Sequence, residues 1–256
     1  MFKILHLTLD KMDNIIIKSL VIKATAKGEA DAFLTLLSEA GKFYATIKGV
    51  KKANARLAYA AQPFNFGEYI FSKRGNNYLV TNCTEIDTFF DLQKDYDRYI
   101  AGCAVLDILD KITIDNEYQI FLLTLKTLAK LTYEHTLTEK QLLAFFILKL
   151  LHCLGLRFQV SANCASCGTD LAHTIYYEPY NNGIICAMCK TLYSMKIERG
   201  VFTTLKLLDA SKMDSIAKLK LQDEHLHDTL LLLDKVIQNT LEFKSVVLDK
   251  MLNSKF

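Results

Sequence analysis

Residues that interrupt regular structure are scarce in this chain. It has only two prolines and ten glycines among 256 residues, whereas 51% of its residues are hydrophobic. A chain of this length and composition can bury a sizeable core, and little of it resembles the polar, proline-rich sequence of disordered proteins. We therefore expect two or three folded domains.

A long apolar run and a secretion signal are also missing. The most apolar segment, 142–156, is interrupted by Lys149 and His152, and it is shorter than the roughly 20 residues that a membrane-spanning helix needs. Residues 1–14 are amphipathic and charged, with no small-residue cleavage site, so they predict an N-terminal extension and not a signal peptide. These absences favour a soluble, cytoplasmic protein whose thiols stay reduced.

A large excess of one charge is absent as well. The formal net charge is only +3, which does not by itself indicate a nucleic-acid-binding protein. The charge is unevenly spread, because residues 15–80 contain ten basic and four acidic residues, whereas residues 89–256 contain 19 and 20. Any attraction to an anionic partner is therefore expected in the N-terminal part.

Catalytic motifs are likewise missing from the sequence. The six histidines form no HExxH motif, and there is no GxSxG nucleophile elbow or glycine-rich phosphate loop. We therefore predict that the protein is not an enzyme. A zinc-ribbon enzyme that processes nucleic acid, or an RNA-binding factor, remains the alternative, and clustered carboxylates or histidines in a polar cleft would favour the enzyme.

The N-terminal part has the pattern of short strands. Four segments rich in β-branched and aromatic residues predict strands: 15–25, 42–48, 63–71 and 78–83. Between the first two, Ala32, Leu36 and Ala40 recur every four residues, which predicts a short helix over 29–40 that ends at Gly41. This pattern predicts a compact barrel of the OB-fold type over residues 15–86.

The remainder of the chain has helical periodicity, interrupted by one cysteine-rich segment. Residues 87–160 and 196–256 show apolar residues three and four apart, and 142–156 is apolar on nearly all faces, as in a central helix. Thr138 and Ser211 are predicted helix N-caps. We therefore predict an α+β protein in which a helical domain carries an inserted zinc ribbon at 161–195.

Four of the seven cysteines form two CxxC pairs, with 18 residues between the pairs. Two such pairs at this separation are typical of a zinc ribbon, because each CxxC turn brings two thiolates onto one ion. Four ligands close the coordination shell, so the zinc would be structural and not catalytic. The predicted ligands are Cys164, Cys167, Cys186 and Cys189.

Two other interpretations of these cysteines are open. Two disulfides would require an oxidising compartment, which no other feature supports. A redox-active CxxC normally accompanies a βαβ unit, and that pattern is absent. Cys83, Cys103 and Cys153 are predicted to fill core positions.

A basic segment follows the second predicted strand and contains no acidic residue. Positive charge is enough for phosphate contacts, and unpaired bases can be held by stacking on aromatic rings. The predicted DNA-binding residues are Lys48, Lys51, Lys52, Arg56, Lys73 and Arg74. The aromatic candidates are Tyr44, Phe64, Phe66, Tyr69 and Phe71. A solvated lysine-rich loop and a set of core aromatics would show the same pattern.

The order of these features resembles the RecO family of DNA repair proteins. The similarity extends over roughly 15–252, and the segments that carry it are 28–31, 34–37, 41–42, 47–52, 63–64, 154–155, 164–168 and 183–189. The family's basic loop usually contains a Ser-Arg pair where this chain has Asn54, Ala55 and Arg56, so only Arg56 corresponds there.

This resemblance implies an OB-fold followed by a helical domain with a zinc ribbon. It also implies binding of single- and double-stranded DNA, annealing of complementary strands, and help in loading RecA onto strands coated by single-strand-binding protein (SSB). The expected partners are DNA, RecR and the tail of SSB, with a functional link to RecA, at the bacterial nucleoid. Residues 1–11 precede the usual start of the family.

Overall fold

The computed structural model describes residues 13–75, 77–114, 117–156, 158, 160–171 and 173–253, without the side chains of Asp13 and Arg74. The chain forms two compact units, Met1–Thr88 and Phe89–Phe256. The first is built from strands and the second is mainly helical, which confirms the α+β class. The predicted extension at 1–14 lies outside the described residues except for its last two.

Five strands form a closed barrel in the first unit. They are β1 (Asp13–Lys27), β2 (Asp31–Ser38), β3 (Gly41–Ile47), β4 (Phe66–Arg74) and β5 (Asn77–Asp87). The strands close in the order β1-β2-β3-β5-β4, and all neighbours are antiparallel except β3 and β5. This five-stranded barrel confirms the predicted OB-type fold.

The barrel interior is filled by alternate residues of each strand. Leu34 and Leu36 of β2 and Tyr69 and Phe71 of β4 are fully buried in one apolar cluster. The hydroxyl of Tyr69 donates to the carbonyl of Ala60 at 2.8 Å, so the polar end of this buried ring is satisfied. The core therefore follows the two-residue period of strands.

The predicted helix over 29–40 is wrong, because most of this segment is strand β2. A spacing of four residues suits a helix face, but it also fits a strand, in which every second residue shares a face. Ala32, Leu34 and Leu36 all face the barrel core, and β2 pairs with β1 on one side and β3 on the other. Two neighbouring strands thus satisfy the backbone that a helix would have satisfied internally. Gly41 follows a turn between strands, with a φ of +104°.

Six α-helices form the body of the second unit in the described residues. They are α1 (Tyr96–Lys111), α2 (Tyr118–Tyr133), α3 (Glu139–Cys153), α4 (Arg199–Ala210), α5 (Asp223–Leu241) and α6 (Val246–Asn253). Helix α3 packs against α1, α2, α4 and α5, and its residues Leu142–Leu148 are all buried. The apolar segment is therefore the central helix, as predicted. Helices that precede the cysteine-rich segment (α1 and α2) and helices that follow it (α4 and α5) thus all pack against α3.

The two predicted N-caps have different outcomes. Thr138 caps α3, because its hydroxyl accepts a hydrogen bond from the backbone N–H of Gln141 at 3.2 Å. The prediction for Ser211 is wrong: this residue follows the last turn of α4, and its hydroxyl donates to the carbonyl of Leu207. In the part of the chain that the structure describes, no helix has the length and apolar character needed to span a membrane.

Candidate metal centre and nucleic-acid interface

The four predicted metal ligands lie in and beside a small three-stranded sheet. Its strands are β6 (Ile175–Glu178), β7 (Gly183–Cys186) and β8 (Met195–Ile197), in the order β7-β6-β8. The first CxxC pair precedes β6, and the second begins on the last residue of β7. Gly168 follows the first pair with a φ of +75°, a conformation that glycine adopts without strain.

The structure brings the four cysteines together. Their sulfur atoms all lie within 4.8 Å of one another, and Sγ of Cys167 is 3.8 Å from Sγ of Cys186. Sulfurs around a tetrahedral ion with bonds near 2.3 Å would be separated by about 3.8 Å. The expected convergence of the four sulfurs is confirmed, and the cluster could bind one metal ion. Among the described residues it is the only group of three or more Cys, His, Asp or Glu side chains with such geometry.

Hydrogen bonds tune the protonation of this cluster. Burial raises the pKa of the Cys164 thiol, but backbone N–H groups, among them that of Cys186 at 3.3 Å, outweigh it and leave the pKa lowered. The hydroxyl of Thr169 lowers the pKa of Cys167. Hydrogen bonds with the sulfurs of Cys167 and Cys186 raise the pKa of Cys189 to about 12. Four thiolates packed this closely require a cation to compensate their charge.

A buried carboxylate anchors the loop after the second CxxC pair. Glu178, only 2% exposed, ends β6 and accepts hydrogen bonds from the hydroxyls of Thr191 and Ser194 and from the backbone of Tyr180. Burial raises its pKa, but the hydroxyl donors lower it more, so the carboxylate stays ionised. Sequence reasoning missed Glu178. The available signal was one acidic residue directly after the apolar run Ile175–Tyr177.

The tyrosines of the β6–β7 hairpin and the three cysteines outside the cluster differ in burial. Tyr177 is fully buried against Phe158, with ring centres 5.9 Å apart. Tyr180, in the turn between β6 and β7, is 93% exposed. Cys83 is buried in the barrel core as predicted, whereas Cys103 and Cys153 are only partly buried. All seven cysteines are free thiols.

The basic loop that follows β3 is exposed and tethered at one end. The side chains of Lys48, Lys51, Lys52 and Arg56 are all exposed. The N–H of Gly49 donates to Asp31 Oδ1 at 2.8 Å, and the N–H of Lys51 donates to the carbonyl of Ala30 at 3.0 Å. The loop is therefore held beside the turn between β1 and β2.

The other two predicted DNA-binding residues, Lys73 and Arg74, are the last two residues of β4. Lys73 is half-buried on β4, with its ammonium 5.3 Å from the ring centre of Tyr78. In the register of the sheet Lys73 pairs with Tyr78, and Tyr78 pairs with Ala45, two residues before the end of β3. Lys73 therefore lies two strands across from the end of β3, where the basic loop begins. The side chain of Arg74 lies outside the described residues.

Only one of the predicted stacking aromatics is well exposed. Tyr69, Phe71 and Phe64 are buried, and Phe66 is half-buried at the start of β4. Tyr44, by contrast, is 50% exposed on β3.

A second exposed ring lies beside Tyr44. Phe33 is 39% exposed and stacks against it. Sequence reasoning missed Phe33 because it assigned the segment to a helix. Strand alternation with the inward residues Ala32 and Leu34 was the signal that could have found it.

Several carboxylates line one cavity of the helical unit. A cavity of about 430 Å³ between β8, α4, α5 and α6 is lined by four carboxylates, two lysines and apolar residues. The carboxylates are those of Glu198, Asp228, Asp234 and Asp249. Asp249 pairs with Lys244 at 2.7 Å, and Asp234 accepts a hydrogen bond from Gln238. Two of the four carboxylates are thus engaged in contacts within the fold, and neither histidine nor cysteine lines the cavity.

Comparison with known proteins gives matches over both units. Family models described as "Recombination protein O N terminal" and "Recombination protein O C terminal" match residues 12–89 and 93–246. A protein named "DNA repair protein RecO" from Acetivibrio thermocellus is 26% identical over 238 residues, covering 90% of this chain and 93% of the relative. Proteins of the same name are 31% identical in Desulfitobacterium hafniense (68% of this chain, 63% of the relative) and 28% identical in Listeria monocytogenes (81% and 82%).

Proposed function

The chain belongs to the RecO family of DNA repair proteins, and from this premise we propose that it is a non-enzymatic mediator of homologous recombination. It binds single- and double-stranded DNA and anneals complementary strands. With RecR it assists the loading of RecA onto DNA coated by SSB, whose tail is a further partner. This work takes place in the bacterial cytoplasm, at the nucleoid.

The observation that carries the DNA-binding part of this proposal is the exposed basic loop after β3. Its four cationic side chains extend into solvent, and the segment 46–56 contains no acidic residue. Tethering to the β1–β2 turn reduces the entropy lost when the loop meets a phosphate backbone. Such a surface attracts any DNA sequence, because phosphates carry no sequence information.

We also propose that the four-cysteine cluster holds one structural Zn²⁺. The donor set is four sulfurs, which suits Zn²⁺ among common cellular ions. Cys164, Cys167, Cys186 and Cys189 would close the shell and join the two ends of the β6–β7 hairpin. The ion would supply the positive charge that lets these thiols ionise together. Elemental analysis of the purified protein, with one zinc per chain expected, tests this assignment.

The salt dependence of DNA binding tests the role of the basic loop. Lys51→Ala with Lys52→Ala should make the slope of log K against log salt shallower by up to about two units, since each phosphate contact contributes roughly 0.9. Lys218→Ala with Lys220→Ala removes the same charge from exposed positions of the helical unit, and it is the matched control. An unchanged slope in the first variant, measured by fluorescence anisotropy, would show that this loop does not contact phosphates.

Annealing of complementary oligonucleotides coated by SSB, with and without RecR, tests the mediator part. The wild-type protein should accelerate annealing, and the Lys51/Lys52 double variant should do so less, because joining two polyanions requires charge compensation. Conversion of either oligonucleotide into shorter or altered products would instead favour a nucleic-acid-processing enzyme.

A further inference from the structure

Two exposed aromatic rings stack on the outer surface of the barrel. Phe33 of β2 and Tyr44 of β3 have ring centres 5.6 Å apart and planes inclined by only 11°. Phe33 is 39% exposed and Tyr44 is 50% exposed. In the strand register Phe33 pairs with Thr46, and Tyr44 pairs with Thr35. The two rings are therefore diagonal neighbours on one face of the sheet.

Positive charge borders this aromatic pair. The ammonium of Lys27 lies 6.0 Å from the ring centre of Phe33 and donates a hydrogen bond to Thr46 at 3.0 Å. Lys48 follows two residues after Thr46 and is exposed. Asp31, in the same strand as Phe33, has its carboxylate engaged by the N–H of Gly49. The face thus combines two exposed aromatic rings with the cationic side chains of Lys27 and Lys48, the two kinds of group that hold single-stranded nucleic acid.

The basic loop adjoins the same end of the sheet. Lys51 is bonded through its backbone to Ala30, which lies in the turn between Lys27 and β2. A strand of DNA whose phosphates contact the loop therefore has its bases next to the aromatic pair. In duplex DNA the bases are already stacked on one another and cannot reach these rings, whereas in a single strand they can.

We propose that Phe33 and Tyr44 form a base-stacking platform that gives the barrel its preference for single-stranded over duplex DNA. The proposal rests on the DNA-binding function above and deepens it. The lysines bind the phosphates of single-stranded and duplex DNA alike, and only the rings distinguish a single strand from a duplex. Because every base offers a π-face, this preference is independent of sequence.

The first test measures affinity for a single strand and for a duplex of equal length. Phe33→Ala with Tyr44→Ala should weaken single-strand binding about tenfold or more and leave duplex affinity and the salt slope unchanged. Ile16→Ala, which removes a 60% exposed apolar side chain from the same barrel, is the matched control. Tyr44→Phe keeps the ring and should retain binding, whereas Tyr44→Leu keeps only the bulk and should lose it.

The second test uses fluorescence, because the chain contains no tryptophan. Tyr44→Trp introduces a single reporter, whose emission should be quenched when a thymidine oligonucleotide stacks on it. A duplex bound at saturation should leave the emission unchanged. Tyr193→Trp, at a 78% exposed position in the helical unit, should respond to neither form.

The outcomes separate this inference from the function on which it rests. If the wild-type protein binds neither form of DNA, the proposed function fails. If it binds single strands and the double alanine variant binds them equally well, only the stacking platform is overturned. An equal loss of affinity for single-stranded and duplex DNA in the double alanine variant also overturns the platform. So does unchanged DNA affinity with a loss of partner-dependent annealing, which would indicate that the rings dock a protein.

Discussion

A buried arginine holds the end of helix α2. Arg98 is 7% exposed, and its guanidinium donates to the carbonyls of Leu131 and Glu134, each at 2.9 Å, and to that of Leu137 at 2.5 Å. The last carbonyls of a helix lack intrahelical partners and attract positive charge. The rigid fork of one guanidinium thus satisfies several acceptors at the connection between α2 and α3.

Replacement of Arg98 should therefore destabilise the helical unit. Arg98→Met keeps most of the apolar stem but leaves buried carbonyls without donors, and we expect it to lower the free energy of unfolding by about 3 kcal/mol. Arg98→Lys keeps the charge but has fewer directed donors, so its stability should lie between those of the wild type and the methionine variant. Urea unfolding followed by circular dichroism measures both. Wild-type stability in the methionine variant would mean that water satisfies these carbonyls.

The buried carboxylate of Asp234 in α5 lowers the stability of the folded protein at neutral pH. It is 5% exposed, and its Oδ1 has no hydrogen-bond partner among the described residues. Burial is the main cause that raises its pKa. A raised pKa means that the folded state holds the proton more tightly, so stability falls as the pH rises from the unfolded value, near 3.8, through the folded pKa.

Asp234→Asn should therefore stabilise the protein at pH 7 by on the order of 1 kcal/mol, because it removes the buried charge and keeps an acceptor for Gln238. The advantage should shrink as the pH is lowered and the wild-type carboxyl becomes protonated. Thermal unfolding between pH 4 and pH 8 tests this, with Asp228→Asn at a more exposed position as the control. A variant that is less stable at every pH would contradict it.

Among the elements, strand β4 depends on a close approach to β5. A Cβ atom on Gly67 would lie 2.8 Å from the carbonyl oxygen of Thr84 and 2.9 Å from Sγ of Cys83. The pairing of β4 with β5 is irregular at this point, with a register shift between Phe66 and Gly67. The absence of a side chain here allows the two strands to approach.

Gly67→Ala should destabilise the barrel by roughly 1–3 kcal/mol, because the backbone of Thr84 has to shift. Gly28→Ala is the control: nothing lies within 4 Å of its added Cβ, and only its φ of +65° costs about 1 kcal/mol. Hydrogen exchange of the backbone amides in β4 and β5 measures this effect, and their protection should fall in the Gly67 variant. Equal protection in wild type and the Gly67 variant would show that the strands adjust freely.

At the scale of the whole molecule, the chain divides into two compact units, and the candidate metal site belongs to the second. The sheet β6–β8 has only three short strands, so metal binding should supply much of its folding free energy. Removal of the metal by a chelator, or Cys164→Ser, should loosen β6–β8 and destabilise Phe89–Phe256. The barrel should keep its fold and its basic loop.

Hydrogen exchange with and without chelator checks this prediction. Amides of β6 and β7 should lose protection, while those of β1–β5 should not. Cys153→Ser, which changes a cysteine outside the cluster, should keep its metal content and protection. Simultaneous unfolding of the barrel would show that the metal stabilises the whole chain and not one unit.

Local patterns were sufficient for several features of this protein. The spacing of four cysteines predicted their convergence, since a CxxC turn is a short-range geometry that brings two sulfurs to one point. The apolar run at 142–156 predicted the central helix, and Thr138 predicted the start of that helix. Each of these depends on residues close together in the chain.

Tertiary contacts decided the rest. Residues 29–40 became strand β2 because β1 and β3 satisfy its backbone on both sides, and both partners lie outside the segment. The same pairing placed Phe33 beside Tyr44. Closure of the barrel buried Tyr69 and Phe71 in its core. The sequence alone determined which residues carry the thiols and the positive charges that suit a metal ion and phosphate, because that is a property of the side chains. Only the closed barrel decided which rings and charges share a face, because that depends on register between strands.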